Sequence, residues 1–337
     1  MKTLQEFKSF YDAELLEQLK VLDQQRKQTK KKNFLTTIGF IGGLIVLWLL
    51  GILINKQIYG LYFDDNSANV PLIIALIISI IALIYFIGLI RRNKRKFIDN
   101  FKNKIITSIV EFINKDLKYS SKDYMPLKEF NDSKLFIHTP DKYYGDDFVS
   151  GTIDKTDISF SEVHALYKTT STDSDGDTKE KWHDIFNGLF FKADFNKNFN
   201  GRYFVLPDFA EKKFGRIGTF FQKLSKNYGN LVQLEDVEFE KEFAVYGTDQ
   251  IEARYILSSN VMRRLLDFKR KTGKNIMISF VNSNIYIAIP YKKELFEPRY
   301  HRSVINEKQT IGYFSDLEIA INIVEDLNLN TRIWSKQ

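Results

Sequence analysis

Two stretches of this 337-residue chain carry no charged residue: Phe34 to Ile54, 21 residues, and Pro71 to Ile90, 20 residues. Each matches the ~20 residues that a helix needs to cross roughly 30 Å of hydrocarbon. A buried core helix of that length would show a polar stripe. A secretory signal would have a shorter apolar stretch with little before it, whereas 33 mostly polar residues precede Phe34. The sequence therefore predicts a transmembrane hairpin, residues 34–90, with spans 34–54 and 71–90 and a short external loop, 55–70.

The charge pattern orients that hairpin. The net charge is +7, which in one undivided domain would suggest a nucleic-acid partner, but it is not spread evenly. Residues 97–337 hold 35 bases and 35 acids, so the large C-terminal region is neutral. The excess sits beside the spans: Arg26, Lys27, Lys30, Lys31 and Lys32 before the first, Arg91, Arg92, Lys94, Arg95 and Lys96 after the second. The loop between them holds Lys56 with Asp64 and Asp65. Retention of Lys and Arg on the inner face predicts two passes with both termini cytoplasmic. The flanking cations read first as a topology signal alone, and second as contacts with the lipid bilayer's anionic headgroups. The absence of cysteine fits a cytosolic domain and removes thiolate metal sites and cysteine nucleophiles.

Within the first span Gly39, Gly43, Leu47 and Gly51 recur every four residues, and the second offers Ala75, Ser79 and Ala82 at similar spacing. Small residues let helices approach closely in lipid, so these positions are expected to pack the hairpin on itself, or else to pair the first helix with another copy. Neither span has an ionisable side chain, which argues against an ion pathway through one copy. Residues 1–33 read as a cytoplasmic amphipathic helix, with Leu15, Leu19 and Leu22 on one stripe. Residues 91–118 read as a basic flank and stalk helix, with Phe97, Phe101, Ile105, Ile109 and Phe112 on another.

From Tyr119 to the end, residues 119–337, the pattern is that of a cytoplasmic α+β domain. Asp147–Ile153, Asp157–Thr169, Trp182–Phe195 and Arg202–Pro207 read as an antiparallel meander of aromatic and β-branched runs. A helix near Glu211–Lys226 follows, then strands near Leu231–Leu234 and Phe239–Tyr246 and a helix Ser259–Lys271. A hairpin Asn275–Val281 with Asn284–Pro290 turns at Asn282 and Ser283, and a helix Ser315–Leu327 closes the chain with Ser315 as N-cap. Strands follow strands, so a parallel doubly wound sheet is not expected.

The segments YYGDDFVSGTIDKTDISFSEVHA (Tyr143–Ala165), IFNGLFFKADFNKNFNGRYFVLPD (Ile185–Asp208), LEDVEFEKEFAVYGTDQIEARYILS (Leu234–Ser258) and IYIAIPYKKELFEP (Ile285–Pro298) resemble the bacterial family known as domain of unknown function 3137. The resemblance runs from about Leu117 to Pro298. It implies a two-pass or membrane-tethered protein of bacterial origin, associated with LemA-type membrane proteins, and it implies no activity.

Three groups of residues carry candidate chemistry. Asp173, Asp175 and Asp177 alternate as in calcium loops, but Gly176 precedes the third acid instead of following it, and the closing position falls on Asp184 in a strand. A solvated hairpin tip is the better reading. Glu162 and His164 share one face of a predicted strand, with His183 and Asp184 on its partner, an arrangement that suits a zinc site or a general acid/base pair. The flanking Phe160 and Leu166 favour a buried structural histidine there. Glu235, Glu238 and Glu242 form an acidic patch ahead of Arg263, Arg264, Lys269, Arg270 and Lys271, readable as a solvated connection or as a surface for docking a partner. No phosphate-binding loop, dinucleotide fingerprint or nucleophile elbow is present, and no cofactor is expected. The sequence thus points to a membrane-anchored cytoplasmic module for interaction, scaffolding or sensing. The alternatives are a membrane-tethered metal-dependent hydrolase using Glu162, His164 and Asp184, and an oligomeric channel.

Overall fold

The computed structural model describes residues 2–62, 70–172, 177–207, 226–327 and 329. The expected helix near 211–226, the loop acids Asp64 and Asp65, and Asp173, Asp175 and Gly176 at the tip of the predicted hairpin lie outside the described residues, apart from Lys226. The chain divides into two compact units, one of residues 9–105 with 298–306 and one of residues 1–8, 106–297 and 307–337.

Two long helices make up most of the first unit, and their outermost turns, residues 4–8 and 106–113, are counted with the second. Helix α1 (Leu4–Phe10) continues through a π-helical turn at Tyr11–Leu15 into α2 (Leu16–Tyr62). Helix α3 (Val70–Phe101) continues through a second such turn, Lys102–Ile106, into α4 (Thr107–Ile113). Both helices are long and apolar enough to cross a membrane, with window hydropathies of 2.5 and 3.1. Their contact seam follows the least exposed residues: Thr37, Phe40, Leu44, Leu47 and Gly51 on α2, and Ala75, Ser79, Ala82 and Phe86 on α3. Rings of Phe40 and Phe86 stack with centroids 4.4 Å apart. A Cβ added at Gly51 would touch the Ala75 methyl at 3.4 Å, whereas one added at Gly39 or Gly43 would meet nothing within 4 Å. The expected small-residue face therefore splits. Gly51, Ala75, Ser79 and Ala82 lie in the seam, and Gly39 and Gly43 lie outside it, because the Phe40 and Phe86 rings fill the groove that bare glycine would have closed.

Below the apolar stretch the same helices are joined by polar pairs. Asn93 Nδ2 donates to Asn33 Oδ1, and Asn100 Nδ2 to Gln25 Oε1, both at 2.8 Å. Segment 298–306 packs on this region. Asp23, 2% exposed, pairs with Arg26 at 2.9 Å and accepts from Ser303 Oγ at 3.0 Å and Val304 N–H at 3.1 Å. The Tyr300 ring meets Phe97 edge-on at 5.6 Å.

The second unit is an α+β domain around one antiparallel nine-stranded sheet in the order β1-β2-β3-β4-β9-β8-β5-β7-β6. The strands are β1 (Leu117–Ser120), β2 (Lys142–Ile153), β3 (Thr156–Thr172), β4 (Thr178–Asp194), β5 (Tyr203–Pro207), β6 (Asn230–Leu231), β7 (Phe243–Gly247), β8 (Met277–Val281) and β9 (Asn284–Pro290). Three strands of the expected meander, β2, β3 and β4, pair in sequence, but its fourth, Arg202–Pro207, is β5 and lies between β7 and β8, because the β8–β9 hairpin takes the edge of β4 instead; β1, which was not expected, adds to β2. The β8–β9 hairpin turns at Asn282 and Ser283 with φ of 52° and 57°, the paired positive values of a type I′ turn. The helices are α5 (Leu127–Asp132), α6 (Val237–Glu240), α7 (Gln250–Ile256), α8 (Ser259–Thr272), α9 (Glu307–Ile321) and α10 (Ile323–Asp326).

Alternation along the strands buries both faces of the sheet centre. On one face Val163, Ala165, Phe186, Phe190, Phe204 and Tyr286 form a cluster with Phe130 of α5. On the other, Phe160, Leu189, Phe191, Ile278, Ile287 and Ile289 are buried as well. Residues of the two chain ends also meet here: Phe7 stacks on Phe314 of α9 at 4.2 Å and meets Phe112 of α4 edge-on at 5.8 Å.

Besides the displaced fourth meander strand, two expected elements change. The strand read at Phe239–Tyr246 is helix α6 followed by β7, because the Asp236 carboxylate caps Glu238 N–H and Phe239 N–H, each at 3.0 Å, and starts a helical turn. The last helix starts at Glu307, which leaves Ser315 inside α9 rather than at its cap. Buried Thr310, Tyr313, Phe314 and Leu317 carry the helical spacing upstream past Gly312, whose missing side chain faces open space.

Candidate functional site

A groove of about 510 Å³ opens beside β2, β3 and the turn after β9, lined among others by Tyr144, Gly145, Glu162, His164, Asn187 and Lys293. Its central group is His164. The β2–β3 register sets Tyr144 directly across from His164, and the Tyr144 hydroxyl lies 2.8 Å from Nδ1. Nε2 lies 2.7 Å from Asp184 Oδ1. An ionised Asp184 only accepts, so Nε2 carries the proton and Nδ1 accepts from Tyr144 in the neutral ring. The result is a hydrogen-bonded chain from an exposed phenol through an imidazole to an exposed carboxylate.

A single irregularity makes that chain. The β3–β4 register slips between Ala165 and Leu166, so that Ala165 faces Phe186 and Leu166 faces Asp184, with Ile185 as the extra residue. Without the bulge Asp184 would fall on the opposite face from His164. The bulge lets Ile185 and Phe186 both turn to the core cluster while Asp184 joins the groove.

Glu162 is on the same face, two residues from His164, yet it is turned to structure. It is 9% exposed, and its Oε1 accepts from Leu295 N–H at 2.8 Å. Gly145 is needed beside it, because a Cβ there would sit 2.1 Å from the Glu162 carbonyl oxygen. Tyr291, buried near Glu162 and Asp316, has its hydroxyl pushed up to about 12 by burial and by those two carboxylates. His183 does not join the groove. As the neighbour of Asp184 along an extended strand it faces the other way, where its Nε2 lies 2.9 Å from Thr169 Oγ1 and its ring stacks on Tyr167 at 4.9 Å. His138 stacks on the same Tyr167 at 4.0 Å, and the His301 carbonyl takes a 3.5 Å contact from Lys30 Nζ. Among the described residues no three His, Asp or Glu side chains gather in a way that could hold a metal ion. The ligand set expected from Glu162, His164 and Asp184 is thus not brought together: His164 and Asp184 meet, and Glu162 is held by the Leu295 amide.

Two acids of the acidic patch pair within the domain while staying exposed. Glu238 pairs with Arg270, and Glu242 pairs with Lys269 at 2.5 Å, while Lys269 lies over the Phe243 ring at 4.7 Å. Glu235 stays exposed. Lys271 pairs with Asp326 at 2.8 Å, and Arg264 donates to the Asp326 carbonyl at 3.0 Å. These bases of α8 therefore have partners within their own domain. Sequence reasoning missed Tyr144, Asn187 and the turn Lys292–Glu294. Tyr144 was findable only through the β2–β3 register, and the turn only through the closing of β9 against β4.

These features define an α+β protein in which two long apolar helices accompany an antiparallel nine-stranded sheet. Residues 184–329, from within β4 to just past α10, match the family described as Protein of unknown function (DUF3137). The match includes three of the four motifs that suggested the resemblance and starts after Tyr143–Ala165. No curated protein and no solved structure matches the chain.

Proposed function

We propose that the chain is a membrane-anchored module that works by interaction, scaffolding or sensing at the inner face of a bacterial cytoplasmic membrane. On this reading it passes the membrane twice, with both termini and the α+β domain on the cytoplasmic side. The two apolar helices and the cations at their ends support the anchoring. The observation that carries the binding role is the groove beside His164. It is open, polar and about 510 Å³ in volume, and its Tyr144 and His164 side chains are held by hydrogen bonds across neighbouring strands, as preorganised recognition requires. The resemblance suggests a membrane protein partner, such as a LemA-type protein.

The test is a photocrosslinking amino acid placed at Tyr144 or at Glu235 of the full chain in native membranes, followed by identification of the products. The reading expects one recurrent partner captured from Tyr144 and not from Glu235. Equal, diffuse capture at both positions contradicts it.

A membrane-tethered hydrolase remains a second reading because of one observation, the Tyr144–His164–Asp184 chain. Such a chain can take the phenolic proton onto Nδ1 while Asp184 holds the ring and stabilises its charge. Here Tyr144→Phe would abolish turnover in a normally folded protein. In the binding reading it alters capture only.

A further inference from the structure

We propose that the helix pair carries a binding groove for the phosphate group of an anionic phospholipid, which rests on the membrane reading above. The groove lies between α2 and α3, measures about 450 Å³ and is lined by Gln25, Thr29, Lys32, Asn93, Lys96 and Asn100, among others. Its walls are fixed. The Asn33–Asn93 and Gln25–Asn100 hydrogen bonds, both 2.8 Å, clamp the helices at its two ends, and buried Phe97 forms part of its lining.

The lining suits an anion. Arg26 and Lys27 on the same helix are paired with Asp23, at 2.9 Å and 3.2 Å. Lys32 and Lys96, one from each helix, line the groove and make no ion pair among the described residues. Among those residues no carboxylate lines it. Gln25 gives its Oε1 to Asn100, which leaves its Nε2 as a donor, and Gln28 adds a second amide. Two cations with amide donors between them match a phosphate, which offers several acceptor oxygens and a negative charge.

Depth selects the source of that phosphate. Lys32 stands two positions before Phe34 and Lys96 six after Ile90. At 1.5 Å per residue these are roughly 3 Å and 9 Å from the ends of the apolar stretches. The headgroup layer is roughly 5–7 Å thick on each side of the hydrocarbon. Lys32 therefore stands within the layer of lipid phosphates and Lys96 just past it, a gap that its four-carbon side chain can span towards the layer, and the acyl chains of a bound lipid can run along the exposed Phe34, Leu35 and Ile38. An inorganic phosphate would gain the ionic contacts alone.

The test reconstitutes the full chain into nanodiscs of phosphatidylcholine with phosphatidylglycerol and counts, by native mass spectrometry, the phosphatidylglycerol retained after the disc is dispersed. The parent should hold one molecule per chain. Lys32→Gln with Lys96→Gln should weaken retention on the order of a hundredfold or more, since each removes a charge-assisted hydrogen bond to the phosphate worth about tenfold or more. The paired control is Lys31→Gln with Arg95→Gln, which removes the same charge from exposed positions outside the groove and should leave retention intact. Equal loss in both variants would overturn the proposal in favour of diffuse surface charge. Displacement of the lipid by millimolar inorganic phosphate would overturn the lipid as the source. A chain that does not enter the disc would refute the membrane reading itself, a distinct outcome from a chain that inserts and retains no lipid.

Discussion

Replacing Asp23 by asparagine should release segment 298–306 from the helix pair. Burial by itself would raise the Asp23 pKa. It is outweighed by hydrogen bonds from Arg26, the Val304 amide, Lys27 and Ser303, which bring it from 3.8 down to about 2. At 1.36 kcal/mol per unit, the charged form is favoured in the folded chain by about 2 kcal/mol. Loss of one partner from a buried pair gives a larger figure, about 3–5 kcal/mol, because Arg26, 6% exposed, would keep its charge with no counterion. The sign of the pH dependence follows. The folded pKa lies below the unfolded one, so this stability is complete above about pH 4 and is lost as the pH falls through 2. The assay is hydrogen exchange at the Val304 amide, which donates directly to Asp23. The Asp23→Asn variant should expose that amide roughly thirtyfold or more relative to the parent at neutral pH, and adding Arg26→Met should recover part of the protection. Unchanged exchange at Val304 would refute the pairing as the force that holds the segment.

Gly51→Leu should destabilise the helix pair by about 1–3 kcal/mol, since its side chain would enter the contact with Ala75 at 3.4 Å. Gly43→Leu should change it by less than about 0.5 kcal/mol, because nothing lies within 4 Å. Thermal melts in detergent compare the two, and the reverse order would show that the seam is misplaced. Ser283→Gly should stabilise the domain by about 0.5–1 kcal/mol, because a side chain at φ 57° is strained where glycine is not. The urea midpoint should rise, and a fall would contradict the turn assignment.

The parts of this fold that were legible from sequence are those set by local periodicity. The charge-free runs, the stripes Leu15–Leu19–Leu22 and Phe97–Phe101–Ile105, and the β8–β9 hairpin with its Asn282–Ser283 turn all appear as expected. The departures arose where one residue changes the phase. At Asp236 a capping carboxylate converts an apparent strand into helix α6. Ser315 reads as an N-cap but lies inside α9, which starts at Glu307 and runs through Gly312. Along α2 the glycine stripe and the seam differ by one position, and only the Phe40–Phe86 stack decides between them.

The site was half legible for the same reason. Glu162 and His164 were chosen from strand parity, and Asp184 from its place on the partner strand. Parity without the Ile185 bulge would have put Asp184 on the wrong face, and parity cannot reveal that the Leu295 amide occupies Glu162. Tyr144 enters only through pairing between distant strands. The pairing of Glu242 with Lys269 and of Glu238 with Arg270, 27 and 32 residues away in sequence, is likewise invisible to local pattern.

The central claim, an anchored module with its domain in the cytoplasm, is tested most directly by cysteine accessibility, since the chain has no cysteine of its own. Lys56→Cys lies between the two apolar stretches and Lys179→Cys on β4 of the domain, and both positions are exposed. A membrane-impermeant maleimide added to intact bacterial cells should label the Lys56→Cys variant and should reach the Lys179→Cys variant only after lysis. Labelling of the Lys179→Cys thiol in intact cells while the Lys56→Cys thiol is protected would invert the topology, and equal labelling of both only after lysis would contradict the membrane-spanning account.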